Sequence, residues 1–129
     1  MKQLQNVDYA QRIHRKSIQK SLPEMARFLD ETLTRGLLMY MIDVKDPKTI
    51  TRWMNGEVAT IRNLETEKRL RALDQIVELL LLVDEPSVFR GWFLGMNDIL
   101  DDVSPAETIH NGHLQKALTA ARGYVAMNW

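Results

Sequence analysis

Cysteine is absent from all 129 residues. That removes disulfides, thiolate nucleophiles and thiolate metal ligands together, and it fits a reducing compartment. Histidine is scarce: His14, His110 and His113 are the whole supply. The 110/113 spacing suits two ligands on one helical face, but Asn111-Gly112 breaks the helix between them and no neighbouring carboxylate or thiol completes a shell. No metal is expected. Glycine is sparse as well, and Gly91 and Gly95 stand alone rather than in a loop that cradles phosphate. Ser17, Ser21, Ser87 and Ser104 have no base beside them. The chain is therefore not expected to be an enzyme or to hold a cofactor. The longest apolar run, residues 76–83, contains Glu78 and is far shorter than the roughly 20 residues that span a bilayer. No secretory signal is visible at the start. A cytoplasmic protein without membrane contact is the expectation.

Net charge is also missing, but only in total. Residues 1–62 carry eleven cations against seven anions, a balance of +4, and residues 63–129 carry six against ten, a balance of −4. Such a split suggests two partners of opposite charge, or two halves that neutralise each other. Hydrophobic residues make up 45% of the chain, ordinary for a globular protein of one domain or two small fused ones.

What the sequence does have is helical periodicity. Tyr9, Ile13 and Ile18 give a weak amphipathic stretch in a polar N-terminal arm, residues 1–22, whose Arg12, Arg15, Lys16 and Lys20 either track phosphates or keep the terminus soluble. Ser21-Leu22-Pro23-Glu24 has capping-box spacing, and Met25, Phe28, Leu29 and Leu33 line one helical face behind it. Leu37, Leu38, Met41 and Ile42 form the next helix. From Leu64 a long helix carries Leu70, Leu73, Ile76, Val77, Leu80 and Val83 in one stripe. Leu79, Leu81 and Leu82 widen that stripe, so the helix is either central or a seam between copies. Val88, Phe89, Trp92, Phe93 and Leu94 make a short apolar helix. Ser104-Pro105-Ala106-Glu107 is a second capping box. Leu114, Ala117, Leu118, Ala121 and Val125 pattern a last helix, followed by an aromatic-rich end. No strand alternation is present, and the fold class expected is all-α.

The segment Asp46-Pro47-Lys48-Thr49-Ile50-Thr51-Arg52-Trp53-Met54-Asn55-Gly56 carries the clearest functional signal. Asp46 can cap, Pro47 suits the first helical position, and Gly56 suits the left-handed residue after a helix end. Ile50, Trp53 and Met54 anchor the inner side. Lys48, Thr49, Thr51, Arg52 and Asn55, with Lys45 just ahead, are the residue types that reach phosphates and base edges. After an apolar helix and a short turn, this is the pattern of a helix-turn-helix recognition helix. The turn is one residue longer than usual, through Lys45, and Met39 or Tyr40 occupies the position where a small residue normally lets the two helices approach.

Trp53-Met54-Asn55-Gly56, Arg69-Leu70-Arg71-Ala72-Leu73, Trp92-Phe93, Asn97, Leu100, Ser104-Pro105 and Gly112, in that order, resemble the Xre-type antitoxins of RES–Xre toxin–antitoxin modules. The C-terminal part is similar to the Xre/MbcA/ParS toxin-binding domain. The resemblance covers residues 24–129. It implies a helix-turn-helix bundle over residues 23–63, fused to a small helical toxin-binding domain over residues 64–129. It implies an antitoxin that blocks a RES-domain, NAD-degrading toxin and represses its own operon, as a homodimer or in a larger complex with toxin. It points to Arg122, Gly123, Tyr124, Val125, Met127 and Trp129 as the toxin-binding residues. The competing reading is a stand-alone transcriptional regulator whose C-terminal domain only dimerises.

Overall fold

In the computed structural model, residues 20–129 can be described. The expected arm and its Tyr9, Ile13, Ile18, Arg12, Arg15 and Lys16 lie outside them, except for its last residues. The described chain is all-α. Its helices are α1 (Leu22–Leu33), α2 (Arg35–Ile42), α3 (Pro47–Met54), α4 (Leu64–Leu80), α5 (Pro86–Leu94), α6 (Pro105–His110) and α7 (Leu114–Asn128), with one 3-10 turn at Asp98–Leu100. No helix among the described residues is long and apolar enough to cross a membrane.

Side-chain caps set most of these boundaries. Ser21 Oγ accepts from Glu24 N at 3.3 Å and Ser104 Oγ from Glu107 N at 3.1 Å, so both expected capping sites start helices. Asn63, read from sequence only as a loop residue, caps α4 by accepting from Thr66 N at 3.1 Å. Gly112 takes φ +82 after α6, the left-handed region that glycine enters without a Cβ clash.

α4 is the central helix. It packs on α7, α1, α2 and α6, with Leu70, Leu73, Ile76, Val77, Leu79 and Leu80 buried. The apolar excess on residues 76–83 is thus mostly spent within one chain: Leu82 and Val83 are half-buried and Leu81 is exposed. One apolar cluster runs from Leu29 and Leu33 of α1 through α4 to Phe89 and Phe93 of α5 and Ala121 of α7. Burying each such side chain is worth about 1.5–3 kcal/mol.

Polar ties close the contacts between elements. Arg69 of α4 donates to the Ile109 and His110 carbonyls at 3.2 and 3.0 Å, which satisfies the end of α6. The His110 ring stacks on Tyr40 of α2 at 4.4 Å, and its Nδ1 donates to the Tyr40 carbonyl at 2.7 Å. Lys20, read from sequence as part of the arm, is instead drawn into the body. Its ammonium meets fully buried Asp74 at 2.7 Å and Glu78 at 2.8 Å, and lies 3.9 Å from the Phe28 ring centre. Burial pulls its pKa down, but the two carboxylates outweigh this and the net direction is up.

Candidate functional site

α3 is built to present one face. Asp46 caps it by accepting from Lys48 N at 3.0 Å, Pro47 fills the first position, and Gly56 follows the helix at φ +74. Ile50 and Trp53 are buried. Lys45, Lys48, Thr51, Arg52 and Asn55 are consequently exposed, and Thr49 is half-buried. Among the described residues Lys45, Lys48 and Arg52 have no ion-pair partner. A hollow of about 710 Å³ between α3 and the loop before α4 brings Lys45 and Thr49 beside Arg62 and Asn63. Arg62 was not among the expected contacts. Its position in a loop, off the helical repeat, gave it no periodic signal.

Thr51 is already engaged. Arg35 Nη1 donates to Thr51 Oγ1 and to the Pro47 carbonyl, both at 2.9 Å, while Nε and Nη2 grip Asp30 at 2.6 and 3.1 Å. Arg27 Nη2 donates to the Met54 carbonyl at 2.7 Å. Two arginines therefore tie the two ends of α3 to the first two helices. The main packing partner of α3 is α1 rather than α2. Tyr40, one of the two bulky residues expected at the α2–α3 approach, stacks instead on His110 of α6. The sequence carried no signal for the Arg35 clamp, because Asp30 and Arg35 are five apart and fall outside the usual helical pair spacings.

The second expected site lies at the end of α7. Arg122 and Met127 are exposed, Met127 at 85%. Gly123 faces the 3-10 turn so closely that a Cβ there would come within 3.0 Å of Ile99 Cδ1. Tyr124 leans on the Trp92 ring, centroids 5.9 Å apart, and donates its hydroxyl to Asp84 Oδ2. That hydrogen bond, with burial and the carboxylate charge, pushes the phenol pKa up to about 12. Trp129 packs against the core. Val125 is 1% exposed, on the inner stripe it shares with Ala117 and Ala121, so its side chain serves the core and offers no contact surface. The chain's end is thus the last turns of a docked helix, not a loose tail.

The segment that meets α7 at Gly123 exposes apolar side chains to which the sequence gave no binding role. Leu94, Met96 and Ile99 are 66%, 83% and 53% exposed. Leu94 ends α5, Met96 and Ile99 follow it, and Ile99 touches α7 at Gly123. Among the described residues, no group of His, Cys, Asp and Glu is arranged to hold a metal ion.

This arrangement of helices has a solved counterpart. The chain superposes on a chain of the crystal structure of the M. tuberculosis MbcT–MbcA toxin–antitoxin complex with a TM-score of 0.67. The match covers 84% of this chain and 96% of that one, at 23% sequence identity. No family model matches the chain, and no curated protein does. At that identity the likeness establishes the all-α fold.

Proposed function

We propose that this protein is an antitoxin: it binds and blocks a RES-type, NAD-degrading toxin and represses its own operon through α3. The likeness to a chain of a solved toxin–antitoxin complex, over nearly all of that chain's length, is the observation that carries the reading. Residues 23–63 supply the DNA-facing part and residues 64–129 the toxin-facing part. In the first, Lys45, Lys48 and Arg52 make phosphate contacts, which dominate affinity, and Thr49 and Asn55 reach base edges. Thr51 serves to hold α3 in place through Arg35. In the second, Arg122 and Met127 meet the toxin, with Gly123 allowing close approach and Tyr124 and Trp129 bracing the helix end. The protein acts in the cytoplasm, as a homodimer or in a larger complex with toxin.

The competing reading, a stand-alone regulator, requires DNA binding with no dedicated protein partner. An affinity pull-down of the full chain from its native cells, with mass spectrometry, separates the two. A stoichiometric partner that degrades NAD once freed supports the antitoxin reading. Recovery of the protein alone, or with DNA only, overturns it in favour of the regulator. Deleting everything after Arg122 is a poor follow-up, since it also removes Val125 from the core. Arg122→Glu with Met127→Asp changes exposed side chains only.

A further inference from the structure

Asparagine followed by glycine occurs at Asn55-Gly56 and at Asn111-Gly112. Asparagine is a thermolabile residue, and this dipeptide is where it reacts most readily, because no Cβ shields the glycine nitrogen. That nitrogen attacks the side-chain carbonyl carbon and gives up its proton to water. The new C–N bond closes a five-membered succinimide, the Cγ–Nδ2 bond breaks and ammonia leaves. Water then opens the ring at either carbonyl, giving aspartate or isoaspartate. Water is the only co-reactant.

Both pairs end a helix in the same way. Asn55 has ψ −1 and Asn111 ψ 0, and the glycines follow at φ +74 and φ +82. A ψ near zero eclipses the glycine nitrogen with the asparagine's own nitrogen and holds it away from Cβ, so neither ring closes until the turn opens. Both asparagines are exposed, and neither side chain has a hydrogen-bond partner among the described residues. The difference lies in what opening breaks. After Gly56 the chain runs into a loop whose residues 58–62 make no hydrogen bond among the described residues. Only the bonds from Gly56 N to the Trp53 carbonyl, at 3.1 Å, and from Glu57 N to the Arg52 carbonyl, at 3.0 Å, have to part. After Gly112 the chain enters α7 at once. Gly112 N and His113 N bond to the Ile109 and Thr108 carbonyls at 2.9 and 3.0 Å, Arg69 grips the Ile109 and His110 carbonyls, and the His110 ring is stacked on Tyr40. Opening there has to move a helix that buries Ala117, Ala121 and Val125.

We propose that Asn55 is a self-modification site, a slow one-way switch on α3, and that Asn111 is protected by the fold. The proposal rests on the reading of α3 as DNA-facing and adds its regulation. Asn55 stands one helical turn from Thr51 and Arg52. Conversion replaces a carboxamide that donates and accepts by a carboxylate that only accepts. It also adds a negative charge to a helix end already negative through its dipole, beside exposed Glu57. Phosphate is repelled there, and a paired contact to an adenine edge is lost. The residues after 63 keep their chemistry, so an aged chain loses repression before it loses toxin blocking.

The test ages the full chain at neutral and mildly alkaline pH and follows both asparagines by tryptic peptide mapping. Cleavage after Arg52 and Arg62 isolates Asn55 in a peptide of its own. Conversion at Asn55 is expected to run about tenfold or more faster than at Asn111 in the folded chain, and at comparable rates once urea unfolds it. Equal rates in the folded chain, or an Asn55 that stays intact there, overturn the proposal. DNA binding is read by fluorescence anisotropy on the duplex upstream of the chain's own coding sequence. Aged wild type and Asn55→Asp are expected to bind about tenfold or more weakly than fresh wild type, with circular dichroism melts verifying that both fold. Asn55→Ser, which forms no succinimide, is expected to lose no further affinity on ageing. Further loss in Asn55→Ser equal to that of the wild type places the damage elsewhere and overturns the switch. If Asn55→Asp melts early, aged wild type against aged Asn55→Ser decides. Wild-type affinity in folded Asn55→Asp overturns the switch and leaves the DNA-facing reading standing. Fresh protein that binds no duplex removes that reading and the switch together, while the two conversion rates still decide the site.

Discussion

α3 and α7 both bury one stripe, α3 through Ile50 and Trp53 and α7 through Ala117, Ala121 and Val125, yet their outward sides differ in kind. α3 turns out lysine, arginine, threonine and asparagine, and is tied down by hydrogen bonds from Arg27 and Arg35. α7 and the connector beside it turn out methionine, leucine and isoleucine, and rest on an aromatic core of Phe89, Phe93 and Trp92. A polar, charge-bearing face suits a hydrated polyanion, where counterion release supplies affinity. An apolar face suits a protein, where displaced water supplies it.

The largest expected effect is in the aromatic core. Phe93→Ala removes a fully buried ring in contact with Trp92 and Phe89, and is expected to cost about 3–5 kcal/mol, read by denaturant melts. Protection from hydrogen exchange should fall first in α5 and the 94–99 connector. Uniform loss across the chain would mean that the two regions fold as one unit, in line with the single apolar cluster that joins them.

Arg35→Ala acts on α3. It strips α3 of its clamp and frees Asp30, at an expected cost of about 1–3 kcal/mol. DNA affinity should drop while the salt slope stays as in the wild type, because Arg35 positions α3 and touches no phosphate. A shallower slope would make Arg35 a phosphate contact instead.

Thr34 joins α1 to α2 at φ 80, ψ 151, a conformation that belongs almost wholly to glycine. The Asp30–Arg35 pair on one side and the Arg90 Nε bond to the Thr32 carbonyl at 2.8 Å on the other hold it there. Thr34→Gly is expected to stabilise the fold by about 1 kcal/mol, visible as a higher melting temperature. A lower one would mean that the threonine side chain makes up for the strain.

The smallest effect is confined to alkaline solution. Tyr124 titrates at about 12, above the roughly 10 of an unfolded tyrosine. The neutral phenol is therefore favoured by the fold, and its contribution is complete below pH 10 and lost as pH rises toward 12. The melting temperature of the wild type should fall more steeply over that window than that of Tyr124→Phe. Parallel curves would mean that the contact with Asp84 adds nothing to stability.

Much of the fold was legible because helices announce themselves locally. The stripes in α1, α4 and α7 and the caps at Ser21, Asp46 and Ser104 needed only neighbours in sequence. The break between Leu33 and Leu37 was legible as a change of stripe, but the positive φ at Thr34 was not, since no glycine or proline stands there and Gly36 lies inside a helix. The Arg35 clamp, the Lys20–Asp74 pair and the Arg69 cap join residues whose proximity exists only after folding. For the same reason α3 displayed its outward face in the sequence, whereas Val125, patterned on the last helix, kept an expected toxin contact until its burial was seen.

The central claim is that two separate faces serve two partners. It is tested most directly by NAD consumption of the freed partner, measured with added wild type, Lys48→Ala/Arg52→Ala, or Arg122→Glu/Met127→Asp. The wild type and the α3 variant are predicted to suppress turnover alike, and the α7 variant to lose most of that suppression. Equal loss in the α3 and α7 variants, or turnover untouched by the wild type, would contradict the account.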